Sequence, residues 1–219
     1  MNDLIREIDC EIEKYSLLKH DFYKMWSEGK LTVDHLKGYS REYFQLVKAV
    51  PSYVENIASV VTDPLTKKSI NQNLKEEYEH IEPWINFAGS IGVSRNDLVN
   101  YNGSTKTNNT VWYLHELTKK SLYQAVAAMY AYEAQLPKIS GSKIDGLKRF
   151  YNMNNDDALR YFQIHEKVDV IHSEVWRNIL QETPVDKHEP VLNAAVRSLE
   201  LQNELLDCVQ EKYVRATAC

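Results

Sequence analysis

Glycine, proline and cysteine are all scarce in this 219-residue sequence, numbering 7, 6 and 3. With so few turn formers and hardly any alternating β-branched runs, a sheet-rich fold is excluded and the class is all-α. The cysteines, Cys10, Cys208 and Cys219, are odd in number and lie at the two ends of the chain, so no disulfide framework is expected and a reducing, cytoplasmic setting is. Long apolar runs are missing too. The most apolar stretch, Ala125 to Leu136, is too short to span a bilayer and carries Glu133. The opening Met1-Asn2-Asp3-Leu4-Ile5-Arg6-Glu7 lacks the apolar core of a signal peptide. Charge of one sign is nowhere concentrated: 26 basic and 31 acidic residues are mixed along the chain for a net −5, leaving no stripe for nucleic acid or an anionic membrane. The expectation is a soluble protein with a single helical domain over 1–219.

What is present is helical periodicity. Thr32 reads as the cap of a helix that continues past a bend at Pro51 to Val61, and Thr62-Asp63-Pro64 as the start of the next. Pro83 implies a kink or break just past His80, Asn100 to Asn109 a loop, and Trp112 onward a long helix ending in the alanine-rich segment before Pro137. Lys138 to Ser142 reads as a turn, Lys143 to Tyr151 as a short helix and Asn155 to Gln181 as a long one. The last helix, marked by Leu192, Val196, Leu199, Leu205 and Val209, offers an apolar side on which a homodimer is expected.

Ionisable residues recur on the faces that should look inward. His165, Asp169 and His172 fall within about 60° of one another on one helix. In Glu76-Glu77-Tyr78-Glu79-His80, either glutamate at the start can share a face with His80. Glu133 sits in the most hydrophobic helix of the chain, where a lone carboxylate is costly without a cation or hydrogen bonds. Three carboxylates and three imidazoles suit two metal ions with about three protein ligands each and positions left open, as helix bundles build them from facing helices. Without thiolates the set suits iron or manganese and would also accept zinc, with redox metals favoured by the number of carboxylates and the surrounding tyrosines. Tyrosine is abundant, with 14 in the chain: Tyr39 and Tyr43 are one turn apart, Tyr130 and Tyr132 bracket the approach to Glu133, and Tyr161 lies one turn before His165.

Four segments carry a resemblance: His20-Asp21-Phe22-Tyr23-Lys24-Met25-Trp26-Ser27-Glu28-Gly29-Lys30-Leu31, Tyr130-Ala131-Tyr132-Glu133-Ala134-Gln135-Leu136-Pro137, Lys143-Ile144-Asp145-Gly146-Leu147 and His165-Glu166-Lys167-Val168-Asp169-Val170-Ile171-His172. Together they resemble the family of the chlamydial protein associating with death domains, which belongs to the haem-oxygenase-like dimetal oxidases alongside the TenA and PqqC proteins. The resemblance implies an up-and-down bundle of about seven helices around an Fe/Fe or Mn/Fe pair, using dioxygen and an external reductant. It implies formation of 4-aminobenzoate for folate synthesis, with the ring taken from Tyr23 and the amino nitrogen from Lys143. The implied ligands are Glu77, His80, Glu133, His165, Asp169 and His172, with Tyr39, Tyr43, Tyr132 and Tyr161 nearby. One departure matters: the family spaces its first Glu and His seven apart, whereas Glu77 and His80 are three apart, which leaves Glu76 open as the alternative.

Two other readings stand beside this one. A same-fold oxidase would act on an external amino acid or fatty acid, with Tyr23 and Lys143 structural. A helical interaction module binding a death-domain protein would need no metal at all. A thiamine-salvage hydrolase fits poorly, because no cysteine lies near the ligand helices in sequence.

Overall fold

A computed structural model of the chain describes residues 3–215; Met1, Asn2 and Cys219 lie outside the described residues. The described chain is helical throughout, with no strand. Its helices are α1 (Asp3–Lys14), α2 (Asp21–Ser27), α3 (Val33–Val47), α4 (Val50–Val60), α5 (Pro64–Ser90), α6 (Arg95–Val99), α7 (Thr105–Thr118), α8 (Leu122–Glu133), α9 (Leu136–Phe150), α10 (Asp156–Gln181) and α11 (His188–Val209). A single π-helical turn over Gln210–Arg215 follows. Among the described residues no helix is long and apolar enough to cross a membrane.

The helix starts follow from local chemistry. Thr32 and His35 form a reciprocal capping box at α3. Asp63 accepts the Thr66 N–H at 2.7 Å with Pro64 in the first turn of α5, and Asn155 accepts the Ala158 N–H at 2.9 Å ahead of α10. At the centre lies α8, whose residues from Ala125 to Glu133 are all buried. Its alanines let α10, α11 and α7 pack closely around it.

The helix boundaries depart from the expectation in several places, beginning with the loop expected over Asn100 to Asn109, which gives way to α7 from Thr105. Pro51 ends a helix rather than bending it: α3 stops at Val47, the residue whose carbonyl the missing proline N–H would have satisfied, and Pro51 enters the first turn of α4. Pro83, by contrast, lies inside an unbroken α5. A proline there costs about 3 kcal/mol, but Trp84, Ile85, Phe87 and Ala88 beyond it are buried and hold the second half in place. The long helix expected from Trp112 is two helices, α7 and α8, with Ser121 in an extended conformation between them. Lys138 to Ser142 is helical, because Leu136, Ile139, Ser140, Lys143, Ile144 and Leu147 bury one side of α9 despite its internal glycines.

One of those glycines matters for the site. A Cβ on Gly146 would lie 2.5 Å from the Trp26 ring, so only glycine lets α2 and α9 meet this closely. The Trp26 indole N–H donates to the Lys143 carbonyl at 3.2 Å across the same contact. The apolar side of α11 is spent inward: Leu199, Leu205 and Val209 are at most 1% exposed. It packs on α8, α7 and α1.

Candidate metal centre

Three helices bring the ionisable residues together in the interior. From α5 come Glu77 and His80, from α8 its last residue Glu133, and from α10 His165, Asp169 and His172. All six are at most 5% exposed. The spacings of four and three on α10 put its three side chains on the inner face, while Val170 and Ile171 between them point outward. The imidazole of His80 stands 4.5 Å from that of His165, ring centre to ring centre. His165 Nδ1 is 2.8 Å from Asp169 Oδ2, and His80 Nδ1 is 3.4 Å from Glu77 Oε2. His172 Nδ1 faces Glu77, Glu133 and Asp169 at 3.7, 3.9 and 3.6 Å.

The hydrogen bonding within this cluster is incomplete. Glu133 Oε1, His165 Nε2, Asp169 Oδ1 and His172 Nδ1 are buried with no hydrogen-bond partner. Glu77, Glu133 and His172 can each offer one donor atom within 4.8 Å of the other two. Unpaired oxygen and nitrogen lone pairs converging in a dry interior fit a cation, and the O/N donor set fits iron or manganese. The electrostatics agree. Burial pushes the Glu133 carboxyl well above its usual range, opposed mainly by His172. Burial also works against charge on His172, yet the nearby carboxylates of Asp169, Glu133, Glu77 and Glu76 prevail and raise it to about 10. Asp169 similarly holds His165 above its ordinary value against burial. In the absence of metal the carboxylates draw positive charge from their own imidazoles.

Comparison with known proteins decides the family. A family model described as "iron-containing redox enzyme" matches residues 37–203. The chain belongs to the iron-containing redox enzymes. It is 31% identical to a 4-aminobenzoate synthase of Chlamydia muridarum over 99% of this chain and 93% of that one. It is 30% identical to a 4-aminobenzoate synthase of Nitrosomonas europaea over 100% and 95% of the two. In fold it matches the crystal structure of a TenA homologue from Pseudomonas syringae with a TM-score of 0.80 at 16% identity, over 95% of this chain and 91% of that one. The haem-oxygenase-like bundle expected from the sequence is the observed fold.

In this redox enzyme an aromatic cage adjoins the His165 end of the cluster. Tyr161 lies on that imidazole, with ring centres 4.3 Å apart, and also meets Trp84 at 4.7 Å. Trp84 stacks on Tyr43 at 5.0 Å, and the Tyr43 and Tyr132 hydroxyls are 3.5 Å apart. Tyr39 follows one turn before Tyr43, and its hydroxyl is 3.2 Å from that of Tyr23. Lys143 donates to the Tyr39 hydroxyl at 2.6 Å, with its ammonium nitrogen position 4.8 Å from the centre of the Tyr23 ring. Tyr39, Tyr43, Tyr132 and Tyr161 are thus in the cage, whereas Tyr130, expected beside Glu133, instead directs its hydroxyl to Asp9 and Arg177. Four rings at 4.8 to 5.2 Å surround the lysine nitrogen and would favour its charged form. Among the described residues, however, it forms no ion pair, and burial holds its pKa well below the ordinary lysine range.

Sequence reasoning did not single out Trp176, which donates its indole N–H to Glu133 Oε2 at 2.6 Å, or Trp84. It also passed over Asn73, which is 2% exposed with both amide atoms unpaired. Trp176 and Asn73 each lie four residues from a ligand candidate, His172 and Glu77, so helical spacing was the available signal.

Proposed function

We propose that this enzyme forms 4-aminobenzoate from its own side chains, Tyr23 supplying the ring and Lys143 the amino nitrogen. The observation that carries the reading is the buried Lys143 amine, 4.8 Å from the centre of the Tyr23 ring and hydrogen-bonded to Tyr39. The 4-aminobenzoate synthase activity of relatives about 30% identical over the full chain supports it. Glu77, His80, Glu133, His165, Asp169 and His172 would hold an Fe/Fe or Mn/Fe pair, which on reduction by an external reductant supplies electrons to dioxygen.

The protein's own contribution is proton placement and proximity. Burial raises Tyr23, Tyr39, Tyr132 and Tyr161 well above the usual phenol range and Tyr43 to about 12, so each keeps its proton at neutral pH. A phenol must lose that proton as it is oxidised. Tyr39, hydrogen-bonded to the Tyr23 hydroxyl, offers the first step of its exit, and it also holds in place the Lys143 amine, which has to stay unprotonated to attack. The same desolvation that neutralises Lys143 leaves it nucleophilic toward an oxidised ring held beside it.

The test is a single turnover of full-length protein grown with ¹⁵N-lysine, loaded anaerobically with Fe(II), then given reductant and oxygen. The expected outcome is ¹⁵N in the released 4-aminobenzoate and mass changes confined to Tyr23 and Lys143. Product with both residues intact would remove the self-consuming route and leave an external amino acid as its source, and no product with metal bound would leave an oxidase of another external amino acid or a fatty acid. Protein that takes up no transition metal would leave the death-domain interaction module.

A further inference from the structure

Adjacent residues on a helix point about 100° apart, so Glu76 and Glu77 cannot both face the interior. Glu77 turns inward with a side chain 6% exposed. Glu76, at 29% exposed, turns toward α10 and places Oε2 at 2.7 Å from His172 Nε2. Its other oxygen, Oε1, accepts from Gln72 Nε2 at 2.6 Å. Both carboxylate oxygens are thus engaged outside the cluster. The opposite nitrogen of the same ring, Nδ1, is the one with no hydrogen bond, and it is directed at Glu77, Glu133 and Asp169.

We propose that Glu76 is a positioning residue that fixes the orientation and tautomer of His172, so that Nε2 carries the proton and Nδ1 offers its lone pair to the interior. An imidazole that donates one N–H to a carboxylate is held in one ring orientation and becomes a better donor at the other nitrogen. Gln72, one turn earlier on α5, holds the carboxylate in that pose, making a chain from Gln72 through Glu76 to His172. The close Glu–His spacing on α5 then has a use for both glutamates: Glu77 offers oxygen to the ion and Glu76 steadies the histidine beside it. The assignment rests on the proposed metal centre and deepens it.

The test is anaerobic titration of full-length, metal-free protein with Co(II) against a competing chromophoric chelator, recording the visible ligand-field bands. Wild type should bind two ions. Glu76→Ala should keep that stoichiometry, bind one ion about 10–100-fold more weakly and shift its bands. Glu76→Gln, whose amide oxygen still accepts from Nε2, should restore most of the affinity and the wild-type spectrum. Glu79→Ala, on the same helix with an exposed Lys75 partner, should change neither. Wild-type affinity and spectrum in Glu76→Ala would overturn the assignment and reduce Glu76 to a surface ion pair. Complete loss of one ion in Glu76→Ala, with Glu77→Ala retaining two, would overturn it by making Glu76 a ligand. Wild-type protein that binds no ion sinks the metal centre and this assignment together.

Discussion

Two carboxylates are equally hidden in this protein and are treated in opposite ways. Glu42, on α3, is 0% exposed and is saturated with donors: the Ser104 N–H at 3.0 Å, Lys212 Nζ at 2.8 Å, the Tyr213 hydroxyl at 3.2 Å and the Tyr101 hydroxyl. Burial opposes its charge, but Lys212 and the other donors win and hold the carboxyl down at about 2. Glu133 is 1% exposed, takes one N–H from Trp176 and leaves Oε1 with nothing. Glu42 ties α3 to the 101–104 loop and the last turn, and its requirements are met by the chain itself. The requirements of Glu133 are met only in part, which marks its surroundings as a place where something else is meant to bind.

The comparison can be broken at either end. The largest effect is expected for Glu133→Gln: metal affinity should fall by more than about 100-fold, while the metal-free protein melts at the same temperature as wild type or higher, since a buried carboxyl with one unsatisfied oxygen has been replaced by a neutral amide. A clear drop in Tm of the metal-free form would make Glu133 structural and erase the contrast. Glu42→Gln should behave in reverse, leaving metal stoichiometry intact and lowering stability by about 2–3 kcal/mol, or roughly 5–10 °C for a chain of this size.

Acid unfolding sharpens the same point. The folded-state pKa of Glu42 lies below its ordinary value of 4.5, so its contribution is fully present above about that pH and is lost as pH falls toward about 2. In that window the unfolded chain binds the extra proton and stability rises with pH. Denaturant melts between pH 5 and 2 should show a shallower slope in Glu42→Gln than in wild type; an unchanged slope would mean that Glu42 is not the group being titrated. The smallest effect is expected at Asn73, whose two unpaired amide atoms lie one turn from Glu77. Asn73→Leu should stabilise the metal-free protein by about 1 kcal/mol, seen as a Tm a few degrees higher. A lower Tm would show that the amide is satisfied in solution.

The contrast also explains what could be read from the residues alone. Ligand candidates on one helix were legible because helical spacing is a local property: His165, Asp169 and His172 needed only the turn of α10, and Glu133 stood out in an alanine-rich run. Glu42 was invisible for the converse reason. In Ser40-Arg41-Glu42-Tyr43 it looks like any surface charge, and its partners Tyr101, Ser104 and Lys212 come from segments far along the chain. Lys143 reads by itself as a solvated residue after a Gly-Ser turn; its burial depends on α9 being continuous and on Gly146 admitting Trp26. The division of labour between Glu76 and Glu77 likewise waited on the position of α10. Helix breaks were the least legible feature: Pro51 opens a new helix whereas Pro83 lies inside one, a difference that no local rule encodes.

Tyr23 and Lys143 are carried by α2 and α9, whereas the metal-ligand candidates come from α5, α8 and α10. Under the proposed chemistry a reacted chain is altered at two buried side chains on α2 and α9 and keeps whole the helices that carry the ligand candidates. Spent molecules should therefore persist as folded, iron-laden husks, one for each molecule of product. Output is then limited by translation, and the iron returns to circulation only when a protease dismantles the shell.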